Sequence, residues 1–320
     1  MNNISKESSS TSSLSLKSPF HLEDGWTICI ENSNKNCTHN EIDILKEKGI
    51  LNLIDFEIMK LLTRYAYINA NNIEYALQHA LPSFYRKKSY SRNLKKLVHA
   101  GIVIRHQLQF CNPDSNVHGV PAPLRFYKLS AGAYSYLAPV IDVPHNLTYA
   151  LTDTNIMEQL SVSQFLIHFY VEYGISMQSC KCNLPLHVGS HLFHVDAYIR
   201  FRSSKESVDS PVALFILSAR GCTEGRSNFI TRSLLFFKWL DKHITQGETY
   251  MIIIPTESIE HVRSINQTLI SHSVPSSLPL YYTIDSDILT FAPFDCIYRC
   301  SHDDTSGQDL IERIHLVLFS

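Results

Sequence analysis

The chain has 320 residues, 44% of them hydrophobic, and a formal net charge of −2. That is enough apolar material for two ordinary cores, while no apolar run approaches the roughly 18–20 residues that cross a bilayer, which excludes a membrane-spanning class and points to the cytoplasm. Residues 51–140 hold eleven Lys or Arg against four acids, and residues 141–320 hold twelve against nineteen, so a polyanionic partner gripped by the first half alone fits the balance.

In chain order, MNNISKESSSTSSLSLKS is serine-rich and short of large apolar groups, so residues 1–20 read as a disordered tail without an apolar signal core. Residues 21–50 are a short extension with one strand-like fragment, WTICIE, and a helical pattern around Glu41 to Lys48. From Leu53 the period is helical: Leu53, Phe56, Leu61, Leu62 and Tyr65 share a face, with Asp55 and Glu57 in the first turn. Asn69 or Asn71 caps a second helix through Ile73, Ala76, Leu77 and Ala80, which stops before Pro82. Ser89 or Ser91 caps a third, with Leu94, Leu97 and Val98 inward and Gly101 at a left-handed C-cap. IVIRHQLQF and LRFYKLS flank a loop holding Pro113, Asp114, Asn116 and Gly119, the pattern of a β-hairpin with a long tip. Three helices and a two-stranded wing predict a winged helix-turn-helix domain over 51–140.

After Pro139 and Pro144 a linker is expected, and residues 150–320 read as a second domain of mixed α/β class. NIMEQLSVSQFLIHFYVEYG predicts a long helix, ISMQSC, HLFHVDAYIRF and VALFILSAR predict three strands, and a helix spans about Arg226 to His243. TYMIIIP is apolar on both faces and belongs at the centre of a sheet. The helix SIEHVRSINQTLISH, the strand LYYTI and a last helix near Gln308 to Leu318 complete the order.

Residues 85–106 carry seven cations, Arg86, Lys87, Lys88, Arg92, Lys95, Lys96 and Arg105, and not one carboxylate. A face that is merely solvated mixes signs, so the pattern reads as contact with double-stranded DNA. The third helix would enter the major groove, Arg92, Lys95 and Lys96 would reach phosphates or base edges, and Arg105, His106 and the hairpin tip would touch the flanking backbone. Cations near a helix end also suit its dipole, and a winged helix also serves as a protein-interaction module, which stays open as an alternative. Such domains commonly bind in pairs, which admits a homodimer, although no dimerisation element stands out.

Helix, three strands, helix, strand is also the order of the PD-(D/E)xK nuclease core, whose chemistry needs two or more carboxylates around a hard divalent ion such as Mg²⁺. Asp196 in HVDAYIRF stands where the first acid would, and VALFILSAR contains no acid at all. If the domain cuts DNA, the second acid comes from elsewhere, with Glu224 or Glu172 as candidates. If it does not, Asp196 pairs with a neighbour such as Arg200 or Arg220 and no cofactor is required. LLTRYAYINANNI, RNLKKLVHAGIVIRH, FYKLSAGAYSYL, HVDAYIRF, ALFILSARGCTE and YMIIIPTESIEHVRSI, in this order over about Leu51 to Ala292, together resemble the plasmid replication-relaxation proteins. The resemblance implies a winged helix joined to a restriction-endonuclease-like domain, an accessory role in plasmid replication, relaxation or conjugative transfer, and other replication or transfer proteins as partners. Asp196 and Ala197 match its second-strand pattern, and Thr223 and Glu224 echo its turn. Leu217 and Ala219 stand where acids would be expected, which implies a catalytically silent domain.

The eight cysteines are irregularly placed, several in strand-like runs, and read as reduced core thiols without structural disulfides. Cys180 and Cys182 precede His187, His191 and His194, but the one-residue spacing reads as turning the two thiols to opposite sides, so no zinc site is expected. No Walker-type phosphate loop or hydrolase triad is apparent in the sequence.

Overall fold

A computed structural model describes residues 18–22, 25–31, 36–83, 87–110, 124–141, 152–202, 211–220, 223–243, 249–274, 278–303 and 308–316. The described residues form a mixed α and β molecule with two sheets.

The first half runs β1 (Trp26–Ile30), α1 (His39–Glu47), α2 (Leu53–Tyr65), β2 (Ile68–Asn69), α3 (Ala70–Ala80), α4 (Lys87–His99), β3 (Val103–Phe110), β4 (Arg125–Leu129) and α5 (Ala131–Ile141). Its helices start where local side chains answer the orphan N–H groups: Thr38 and Glu41 form a capping box on α1, Asn52 and Asp55 another on α2, and Asn69 caps α3. Past α4, Gly101 takes φ +73°, the left-handed turn that sends the chain back into β3. The sheet order is β1-β3-β4-β2, antiparallel throughout. The extension before residue 50 therefore supplies an edge strand to the hairpin, a role its sequence did not assign. Gly132 in α5 is required sterically, since a Cβ there would stand 2.1 Å from the Cys37 carbonyl oxygen.

The second half runs α6 (Asp153–Tyr173), β5 (Met177–Val188), β6 (His191–Arg202), β7 (Pro211–Ile216), α7 (Thr223–His243), β8 (Thr249–Thr256), α8 (Ile259–Ser271), β9 (Leu280–Ile284), α9 (Asp285–Ile288), β10 (Ile297–Asp303) and β11 (Gln308–Ile314). The sheet order is β11-β10-β9-β8-β7-β6-β5, with β7, β8 and β9 parallel and the outer pairs antiparallel. The doubly apolar TYMIIIP run lies in β8, the middle strand. The helix expected near Gln308 to Leu318 is instead β11, paired with β10 from Ile297↔Ile314 to Asp303↔Gln308. The open edge of β10 offers hydrogen-bonding groups along its whole length, and that pairing outweighs a short helical period.

Val162, Phe165, Leu166 and Phe169 of α6 pack on one face of the larger sheet with Ile199, Phe201, Leu214 and Ile253. Phe236 and Leu240 of α7 and Val262 and Ile265 of α8 cover the other face over Phe215, Ile252 and Ile254. The α6 core also takes in Leu62, Leu97 and Leu129, so it runs unbroken from the first sheet to the second. A third cluster joins Phe20, Tyr67, Leu108, Phe126 and Met157. Of the tail expected over 1–20, residues 1–17 lie outside the described residues, whereas Ser18 and Phe20 are buried. No described helix is long and apolar enough to cross a membrane.

Candidate functional site

The basic helix α4 docks on α2 through a buried carboxylate. Asp55, fully buried, accepts from the Asn52 N–H at 2.7 Å and from Asn93 Nδ2 at 2.8 Å, and it pairs with Lys96. Lys96 Nζ also donates to the Ile50 carbonyl at 2.8 Å. Lys96 is thus committed to holding α4 in place rather than standing free for a phosphate. Leu94 and Leu97 face the core, and Arg92, Lys95 and His99 are exposed at spacings of three and four residues, which put them on one side of the helix. Lys87 and Lys88 open α4, but their side chains lie outside the described residues, as do Arg86 and the hairpin tip over 111–123.

On the hairpin, Arg105 pairs with Glu31 just past β1. His106 is buried inside the first sheet, its ring stacked on Phe126 at 5.2 Å. Burial, helped by the Lys128 charge, pushes its pKa down to about 4, so the imidazole is neutral and takes no part in a DNA-facing surface. Arg125, exposed on β4, is a cation the sequence reading passed over, and its place beside a strand that ends at the tip was the signal for it.

A second polar feature is a cleft of about 640 Å³ at the N-terminal end of α6, lined by Asn155, Glu158, Asn183, His194, Asp196 and Arg232 among others. Asp196 sits where β6 changes partners: Phe193 and Val195 before it join the α7–α8 core, and Ala197 and Ile199 after it join the α6 core. Beside it, Asn183 on β5 has φ +51°. One Asp196 oxygen accepts from the Ser218 N–H at 2.7 Å and the other from Arg232 at 3.1 Å, while Arg232 also donates to the Ser218 carbonyl at 2.7 Å. The expected partners do not serve: Arg200 is exposed elsewhere on β6, and Arg220 is buried against Asp285. Leu217 and Ala219 are buried in the α7–α8 core.

The acid brought towards Asp196 is Glu158 of α6, which neither Glu224 nor Glu172 anticipates. Glu224 has its side chain outside the described residues, and Glu172, near the far end of α6, accepts from Tyr75 Oη at 2.9 Å. Burial first, and the Asp196 charge second, push the Glu158 pKa up to about 7 against the pull of Arg232. Burial and the Arg232 charge lower that of His194. The cleft therefore pairs a proton-holding carboxyl with a carboxylate already neutralised by a guanidinium. Both Asp196 oxygens are already taken, one by the Ser218 N–H and one by the Arg232 guanidinium, whereas Mg²⁺ binds through oxygens that are free to coordinate it in near-octahedral geometry. Among the described residues no group of three or more His, Cys, Asp or Glu is gathered closely enough to hold a metal ion.

The one-residue spacing of Cys180 and Cys182 requires a correction. Alternate residues of a strand share a face, and both thiols turn to the α6 side of β5, in contact with each other. His187 and His191 lie exposed further along the β5–β6 hairpin, so thiols and imidazoles are not assembled into one site. Comparison of the chain with known families, curated proteins and solved structures finds no match.

Proposed function

We propose that the chain binds duplex DNA through a winged-helix unit over 51–140, with α4 as its reading helix and β3–β4 as its wing, and that its second half is a restriction-endonuclease-like domain without catalysis. The observation that carries this is the division of labour on α4: Leu94, Leu97 and Lys96 anchor it, leaving Arg92, Lys95 and His99 together and exposed. A guanidinium and an ammonium one helical turn apart suit two phosphates or a phosphate and a guanine edge. The accessory role in plasmid replication, relaxation or conjugative transfer rests on the resemblance of the sequence motifs. The Asp196–Arg232 pair supports a structural rather than hydrolytic cleft.

Binding of a labelled duplex, measured across a salt series, tests the proposal. Each phosphate contact contributes about −0.9 to the slope of log K against log salt, so Arg92→Ala with Lys95→Ala weakens binding and flattens the slope by roughly 1.8. Unchanged affinity and slope would remove α4 from the interface. In parallel, supercoiled plasmid with Mg²⁺ or Mn²⁺ stays intact; cutting that disappears in Asp196→Ala would favour the nuclease reading instead.

A further inference from the structure

We infer that Cys180 and Cys182 form a dithiol–disulfide couple at the seam between the two halves of the chain, oxidised by a low-molecular-weight disulfide such as glutathione disulfide. The inference is independent of DNA binding and rests on where β5 puts the two thiols. Cys180 stands opposite Ile199 and Cys182 opposite Ala197, both partners fully buried in the core under α6, so the pleat turns both sulfurs the same way. Both residues are half-buried, and both are free thiols. From the first half of the chain, Arg64 and Tyr65 at the end of α2 and Tyr134 of α5 face them.

The two sulfurs differ in a way that assigns roles. The Cys182 thiol donates a hydrogen bond to Cys180, which lowers the Cys180 pKa, and the Arg64 guanidinium lowers it further against burial. The same hydrogen bond, together with burial, raises the Cys182 pKa well above its ordinary value. Of the two, Cys180 is the readier to ionise, which makes it the attacking sulfur and Cys182 the resolving one. The Cys180 thiolate attacks one sulfur of the oxidant, the oxidant's S–S bond breaks, and one glutathione thiolate leaves. Cys182 then gives its proton to solvent and attacks Cys180 Sγ, forming the Sγ–Sγ bond and expelling the second glutathione thiolate. Two electrons pass from the protein pair to the oxidant, which ends as two thiols.

Alternate strand residues lie about 6.6 Å apart along the chain, whereas a disulfide brings its two Cβ atoms to roughly 3.5–4.5 Å, so closing the bond pulls β5 out of its extended form locally. The strand is already irregular on both sides, with a register shift between Met177 and Ser179 and the positive φ at Asn183. Among the described residues it is also the sheet's edge strand, hydrogen-bonded to β6 alone, so shortening it disturbs a single ladder. A disulfide formed at that extension is strained, and strained disulfides are the ones a thiol pool readily reduces.

Lys181 between the cysteines supplies the test. The native full-length chain is equilibrated with excess glutathione disulfide, its remaining thiols are alkylated, and it is unfolded and cut with trypsin, which cleaves after Lys181. The reduced chain yields fragments 129–181 and 182–200 separately, each with its single cysteine alkylated. The oxidised chain yields the two fragments joined, and they separate again when a reductant precedes alkylation. In Cys182→Ser, or Cys182→Ala should the serine variant not fold, the glutathione adduct accumulates on Cys180. Recovery of both cysteines alkylated after oxidant treatment, or of Cys180 joined to any other cysteine, overturns the inference.

Discussion

Glu158 holds its proton because it is folded into a place where its charge is poorly tolerated. Two donors pull the other way: Asn155 Nδ2 and the Arg220 N–H each donate to it at 3.3 Å and favour the charged form, but burial and the Asp196 charge outweigh them. A carboxyl with a folded pKa near 7 binds its proton more tightly in the native than in the unfolded chain, where the ordinary value is 4.5. Its contribution is favourable below pH 4.5 and is lost as the pH rises towards 7, leaving the native state penalised above that. Glu158→Gln keeps the shape and removes the titration. The variant should gain on the order of 2–3 kcal/mol over the parent at pH 8 and little at pH 5, since about 1.4 kcal/mol attaches to each pKa unit. Urea midpoints at the two pH values check this; equal gains at both would mean that the carboxyl does not titrate in this range. The signal for Glu158 was present in the sequence as an acid inside the apolar run NIMEQLSVSQF, but its meeting with Asp196, thirty-eight positions later, depends on how α6 crosses the sheet.

At the scale of elements, α4 and α2 share an apolar core through Leu94 and Leu97 and are joined as well by the Lys96–Asp55–Asn93 cluster. Lys96→Met leaves Asp55 fully buried and without its counter-ion, and should lower stability by about 2–3 kcal/mol, near the low end for breaking a buried pair because the ammonium is partly exposed. Lys95→Met, one residue earlier, should leave the denaturation midpoint within about 0.5 kcal/mol of the parent, as surface changes do. Chemical denaturation of the two variants separates an anchoring cation from a surface one, and equal losses would contradict the assignment. The sequence treated the two lysines alike because period alone places both on the outer side of the helix, and only the position of the α2 capping box distinguishes them. Helix starts were readable where the cap is local, at Asn69 for example. The pairing of β1 with β3 and of β11 with β10 was not, because those choices are made by edges that the segments themselves do not contain. Likewise His106 reads as one more basic group in a basic run, and only the register of β3 turns it inward.

At the scale of the molecule, the residues before position 31 tie the halves together. Phe20, fully buried, lies against Arg220 of the second half at 5.9 Å while clustering with Tyr67, Leu108 and Phe126 of the first. Ser18 donates to Asp285, which also receives Ser161 at 2.6 Å and the Arg220 guanidinium. In β1, the Ile28 N–H and the Thr27 hydroxyl both donate to Asp153 at the start of α6, at 3.0 and 3.2 Å. Phe20→Ala should therefore cost about 3–4 kcal/mol, and should do so in both halves at once. Hydrogen exchange would read this as faster exchange in β4 and in β8 together; a change confined to one sheet would mean that the segment is fastened to that half alone.

Ser18 and Asp285 are separated by 267 positions, which makes assembly a question of timing. On a ribosome adding about 5–20 residues per second, Ser18 emerges roughly 15–50 s before Asp285 exists. Until Leu160 and then Arg220 have followed, Phe20, Leu22 and Trp26 have no completed surface to enter, and the growing polypeptide carries an adhesive segment that a chaperone would need to shield.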